Sequence, residues 1–175
     1  NMNSKKGDFT FREVGENLLS ICLTIVESIL SNEKLHENTK TWNFTIENNK
    51  LKIGLLAPLS GEYSQLGNSL LYSLQLALEE IDDEKLFIIP RDSGFNDKNK
   101  IKTAIEDLRS QGVKIVIGPI SNDDFENVKN YSNMIFLSPS NISPEFTSNI
   151  ISIGISLESQ LLSLIDFIKK QKKTK

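Results

Sequence analysis

Apolar and polar positions along this chain follow two rhythms, and the change between them falls near Lys50. Upstream, nine of the thirteen positions from Leu18 to Leu30 are apolar, with Phe11 and Val14 preceding them at helical spacing, which predicts a helix. Thirteen residues rise only about 20 Å as a helix, against about 30 Å of bilayer hydrocarbon, so the run is too short to span a membrane. Its apolar surface is wide and needs a partner: the following domain, another chain, or further helices upstream. A leader-peptide reading starts from Lys5, Lys6 and the box-like Leu19-Ser20-Ile21-Cys22. It fits poorly, because Asp8, Glu13 and Glu16 break the basic region, Ile21 stands where a small residue is wanted, and Glu27 interrupts the run. Residues 31–50 are polar and Asn-rich and read as a linker, with Trp42 as a packing anchor.

Beyond Lys50, short apolar runs alternate with segments of helical period. Leu51–Pro58 reads as a buried strand, followed by the turn Leu59-Ser60-Gly61-Glu62. A helix is expected from about Ser64 to Ile81, with Leu66, Leu70, Leu74, Ala77, Leu78 and Ile81 on one face. Leu86–Pro90 gives a second strand, and Asp97 to Ser110 a second helix that stops at Gly112, a residue suited to a left-handed cap. Val113–Ile117 is a third strand. Ser121 opens a helix with Asp123 and Asp124 in its first turn, where the helix dipole favours acids. Met134–Leu137 and Ile150–Ile155 supply strands four and five, and a last helix runs from about Leu157 to Lys170.

Strands alternating with helices in units of about 30 residues imply right-handed crossovers between parallel strands, with helices on both faces. The expected fold is therefore α/β: a doubly wound, parallel five-stranded sheet of order 2-1-3-4-5, preceded by an N-terminal helix.

Composition then narrows the chemistry. Lys and Arg total 20 against 23 Asp and Glu, a net charge of -3, which leaves no electrostatic footprint for a phosphate backbone, so no nucleic acid partner is expected. One cysteine, Cys22, excludes an internal disulfide and a Cys-based zinc site, and one histidine, His36, removes most imidazole-dependent catalysis. Cys22 reads as a core residue and His36 as solvated. After the first strand there is no G-x-G-x-x-G and no P-loop, and Ala57-Pro58 and Gly118-Pro119 stand where a receiver domain would carry acids. The carboxylate clusters at 79–84 and 123–126 sit at helix ends and read as solvated faces or caps. No catalytic residue, metal site or cofactor is called for. A Rossmann-like enzyme is disfavoured for want of a nucleophile, base or metal set.

In such a sheet, ligands bind beyond the strands' C-terminal ends, where strand order reverses. That places the loops Pro58-Leu59-Ser60-Gly61-Glu62-Tyr63 and Gly118-Pro119-Ile120-Ser121-Asn122 at the site, with Ser138-Pro139-Ser140-Asn141 on the next strand. They offer hydroxyls and backbone N–H groups to a small polar ligand. The same residue types also cap helices and turn chains in most α/β loops, so spacing alone does not separate the two readings.

The segments LKIGLLAPLSGEYSQLGNSLLYSLQLALEEI, FIIPRDSGFNDKNKIKTAIEDLRSQGVKIVIGPIS and MIFLSPSN together resemble the type I periplasmic binding protein family, in its leucine/isoleucine/valine-binding branch. The resemblance covers Leu51 to Lys170. It implies two lobes closing on a small ligand, and a periplasmic or envelope location. Position by position, Ser121 behind Gly118-Pro119, and Ser138, Ser140 and Asn141, match places that hold an amino acid's carboxylate and ammonium. Ser60, Gly61 and Tyr63 match the first loop, and Asp92 the acid after strand 2. The stretch GPISNDDFENVKNYSNMIFLSPSN with IISIGISLESQ is also similar to the penicillin-binding protein activator (LppC-like) branch, whose members contact a peptidoglycan synthase and carry a helical region ahead of the fold.

The resemblance thus implies a partner that is a small, amino-acid-like ligand or an envelope protein, with contact to a membrane transporter or a peptidoglycan synthase. It divides the chain into a helical segment and linker (1–50), a first lobe (51–156) and the first helix of a second lobe (157–175). On that division the chain is expected to be a truncated product or fragment.

Overall fold

The computed structural model describes residues 12–24, 26, 50–82, 84–139 and 149–152. The expectations for His36, Trp42, Ser140, Asn141 and the helix 157–170 lie outside them.

Five parallel strands, β1 (Leu51–Ala57), β2 (Leu86–Asp92), β3 (Ile115–Ile117), β4 (Ile135–Ser138) and β5 (Ile150–Ser152), form one sheet of order β2-β1-β3-β4-β5. β1 lies between β2 and β3, which is why its sequence is apolar on both faces and Ile53 through Ala57 are buried. Alternate residues sort to opposite faces. Ile53, Leu55, Ala57, Ile115, Ile117 and Leu137 pack with α2 (Ser64–Ile81). Leu56, Val116 and Phe136 pack with α3 (Lys98–Ser110) and α4 (Phe125–Val128). The doubly wound fold read from the sequence therefore stands.

The N-terminal helix, α1, covers residues 12–24 and 26 and finds its partner within the lobe. Leu18, Leu19, Cys22 and Val26 are buried in the same core as α2 and the sheet. A β-carbon on Gly15 would lie 1.9 Å from the Ser73 carbonyl oxygen and 3.0 Å from the Ala77 Cβ, so the helices cross in backbone contact. Arg12 meets Glu80 at 3.3 Å. As α1 advances from residue 12 to 15 its partners on α2 run backwards, so the two helices are antiparallel. Burial pushes the Cys22 thiol up to about 12, which keeps it protonated and unreactive at neutral pH.

Several local boundaries differ from expectation by a residue or two. β2 extends two residues further, to Asp92, because Leu56↔Arg91 and Ala57↔Asp92 continue the β1 register. β3 begins at Ile115 rather than Val113, since the Val113 amide is spent on the Leu108 carbonyl in the α3 cap, with Gly112 at φ 78. After Ser121 the chain makes a 3-10 turn (Asn122–Asp124) before the four-residue α4. Asp97 stands just outside α3 as its N-cap, accepting the amides of Asn99 and Lys100 at 3.1 and 3.0 Å.

Candidate functional site

Because all five strands are parallel, the loops that follow them emerge at one edge of the sheet. At that edge the end of β2 is tied to the loop after β1 by Asp92. One carboxylate oxygen accepts the amides of Leu59 and Gly94 at 2.9 and 3.0 Å; the other accepts the Ser60 hydroxyl at 2.5 Å and the Lys100 ammonium at 2.8 Å. Lys100 Nζ also donates to Ser60 Oγ at 2.8 Å. Burial acts to raise the Asp92 pKa, but the donors from Lys100, Ser60, Gly94 and Leu59 together outweigh it and hold the carboxyl well below the usual range. Asp92 is thus a clamp that fixes the first loop.

The loop after β2, residues 93–97, reaches both neighbouring loops. Phe95 stacks on Tyr63, with ring centroids 3.7 Å apart and planes inclined by 17°. Asn96 accepts the Ser121 hydroxyl on Oδ1 at 2.7 Å, and its backbone N–H donates to the Asp124 carboxylate. Asn96 sits at φ 57, in the left-handed region that Asn tolerates better than most residues. Asp124, expected on a solvated face or in a cap, is buried and stands at the N-cap position of α4 without a side-chain cap bond; its carboxylate instead accepts the Asn96 backbone N–H. Burial raises its pKa to about 6, opposed by the Asn96 amide and reinforced by the charges of Asp123 and Asp97.

Gly118 ends β3 at φ 111, and a β-carbon there would lie 2.1 Å from the Leu56 carbonyl oxygen. Only glycine lets β3 pass this closely beside the end of β1. Its amide donates to the Leu137 carbonyl at 2.7 Å, and the Gly118-Pro119 peptide is cis.

The structure therefore brings Ser60, Gly61, Tyr63, Gly118, Pro119 and Ser121 to one edge. Gly61 and Tyr63 are exposed, whereas Gly118 and Pro119 are buried beneath the loops. Ser138 lies at the last position of β4, fully buried and in register with Ser152 of β5. Phe95 and Asn96 are the residues that sequence reasoning missed. A cavity of about 550 Å³ lies on the β2–α3 flank, lined by residues that include Arg91, Asp92, Lys100, Thr103 and Asp107. None of the seven described residues expected at the site lines it. Arg91 and Asp107, which are ion-paired, and Lys100 and Asp92 satisfy one another's charge there.

The structure is thus a doubly wound α/β lobe, a parallel 2-1-3-4-5 sheet whose loops after the strands converge at a single edge. Residues 50–175 match the family model described as Periplasmic binding protein, and the chain belongs to that family. An uncharacterised protein of Methanocaldococcus jannaschii is 25% identical over 122 residues, which are 62% of this chain and 28% of that protein. The leucine binding protein LivK of Thermotoga maritima aligns at 18% identity and TM-score 0.53, covering 59% of this chain and 32% of its own. Full-length LpoA of Haemophilus influenzae aligns at 18% identity and TM-score 0.51, covering 83% of this chain and 29% of its own. The chain thus spans roughly a third of the length of the relatives it matches.

Proposed function

We propose that residues 51–156 form the ligand-binding first lobe of an extracytoplasmic solute-binding protein of amino-acid type, with residues 157–175 beginning the second. The lobe binds a small polar ligand at the loop edge and performs no catalysis. One observation carries this reading: the loops after β1, β2 and β3 are fastened to each other over the point where strand order reverses, through Tyr63 with Phe95 and Ser121 with Asn96. The chemistry of the described nucleophilic groups supports binding without reaction. Cys22 is buried and protonated, and Ser60 is held between Asp92 and an ion-paired Lys100. Calorimetric titration with free amino acids, on wild type and on Ser121→Ala, tests it. A loss of about tenfold in affinity supports the assignment, and unchanged affinity sinks it.

A second reading is a cell-envelope regulator of the penicillin-binding protein activator type, which contacts a peptidoglycan synthase. The specific observation in its favour is α1, built into the lobe's core. The alignment with LpoA covers 83% of the chain, more than residues 50–175 can supply, so that likeness reaches into the N-terminal segment. Retention of a purified synthase on the immobilised chain favours the regulator. Amino-acid binding without such retention favours the solute-binding protein.

A further inference from the structure

Both serine hydroxyls at the exposed edge of the site have already committed their protons. Ser121 donates to Asn96 Oδ1, while Ser60 donates to Asp92 and accepts from Lys100. A serine oxygen has one proton and two lone pairs, so what Ser121 retains for a ligand is acceptor capacity. The Asn96 backbone is held in place, because its backbone N–H is bound to the buried Asp124 carboxylate and it sits at φ 57. Asn96 Oδ1 is the acceptor that orients the Ser121 proton away from an incoming group.

The charge at this edge has the same sign preference. Glu62, Asp97 and Asp123 are exposed there, and Asp124 lies beneath them. Asp92 and Lys100 neutralise each other, and Lys98 at the start of α3 is outnumbered. Such a surface concentrates cations over anions. The stacked rings of Tyr63 and Phe95, 41% and 37% exposed, add π-surface that attracts an ammonium and accommodates a flat apolar body.

We propose that the ligand presents to this lobe a hydrogen-bond-donating cationic group, an amine on a flat or apolar body, rather than a carboxylate. This rests on the loop edge being the ligand site, as argued above, and it selects the chemical class for that site.

The test compares two probes of the same shape and opposite charge. The 175-residue protein, labelled with nitrogen-15, is titrated with 2-phenylethylamine and with phenylacetate while the amides of Gly61, Phe95, Asn96 and Ser121 are followed. The amine is expected to shift them at a concentration at least about tenfold below the acid. In Asn96→Gly, which keeps the left-handed backbone but removes the acceptor, that ratio is expected to fall to about threefold or less. Equal or tighter binding of phenylacetate at these amides overturns the amine preference and leaves the site standing; an unchanged ratio in the variant overturns the part given to the Asn96 acceptor in setting that preference. Silence of these amides to both probes overturns the site as well.

Discussion

A β-carbon at Gly15 would stand 1.9 Å from the carbonyl oxygen of Ser73, so α1 and α2 touch through their backbones. That contact makes the N-terminal helix a structural part of the lobe. It leaves Leu18, Leu19, Cys22 and Val26 deep enough to share the sheet's core.

Gly15→Leu should force the helices apart. Overpacking of this kind costs about 1–3 kcal/mol, read as a lower midpoint in urea. Cys22, buried in the wild type, should then react with a thiol reagent under native conditions. A variant with unchanged stability and an unreactive Cys22 would mean that α1 packs elsewhere.

Asp92→Ala should cost about 2–3 kcal/mol, because it strands the amides of Leu59 and Gly94 along with the Lys100 charge. Asp92→Asn, which keeps an acceptor, should cost less. The Asp92 pKa is lowered on folding, so its contribution is complete above the ordinary carboxylate range and is lost as pH falls through and below it. Urea midpoints measured from pH 5 down to pH 2 should show that loss in wild type and a shallower one in Asp92→Asn.

Asp124 has the opposite sign. Its folded pKa, raised to about 6 from 3.8, means that the native state binds more protons than the unfolded chain between those values. Stability should therefore fall as pH rises from about 4 to about 6, and this component should vanish in Asp124→Asn. An identical pH profile in the variant would show that Asp124 is not the titrating group.

Gly118→Ala should be among the most damaging single changes, at about 3 kcal/mol or more, since it combines a positive φ with a backbone clash. Thermal unfolding of the purified variant checks this. A melting temperature within a degree of wild type would contradict the geometry at the end of β3.

Some of this was legible in the chain and some was not, for physical reasons. The bounds of the helix Ser64–Ile81 were readable because its apolar positions keep a 3.6-residue period, although Leu66 and Ile81, expected on the apolar face, are exposed. The two extra residues of β2, Arg91 and Asp92, were not. They are charged, and only their pairing with Leu56 and Ala57 makes them strand. Ser60, Tyr63 and Ser121 could be placed at one edge from topology alone. Phe95 and Asn96 carry no local signal; their meaning comes from Tyr63, 32 positions upstream, and from Ser121, 25 positions downstream. Asp124 read as part of a solvated face or cap, because the bond it accepts from the Asn96 backbone, 28 positions upstream, leaves no local signal.

The central claim is that three loops at the ends of β1, β2 and β3 make the ligand site. The most direct test is an amide chemical-shift perturbation map of the whole chain with a solute selected by thermal-shift screening. The account predicts that the perturbed amides cluster at residues 59–63, 93–97 and 118–124. A cluster instead around Arg91, Thr103 and Asp107, at the β2–α3 cavity, would contradict it.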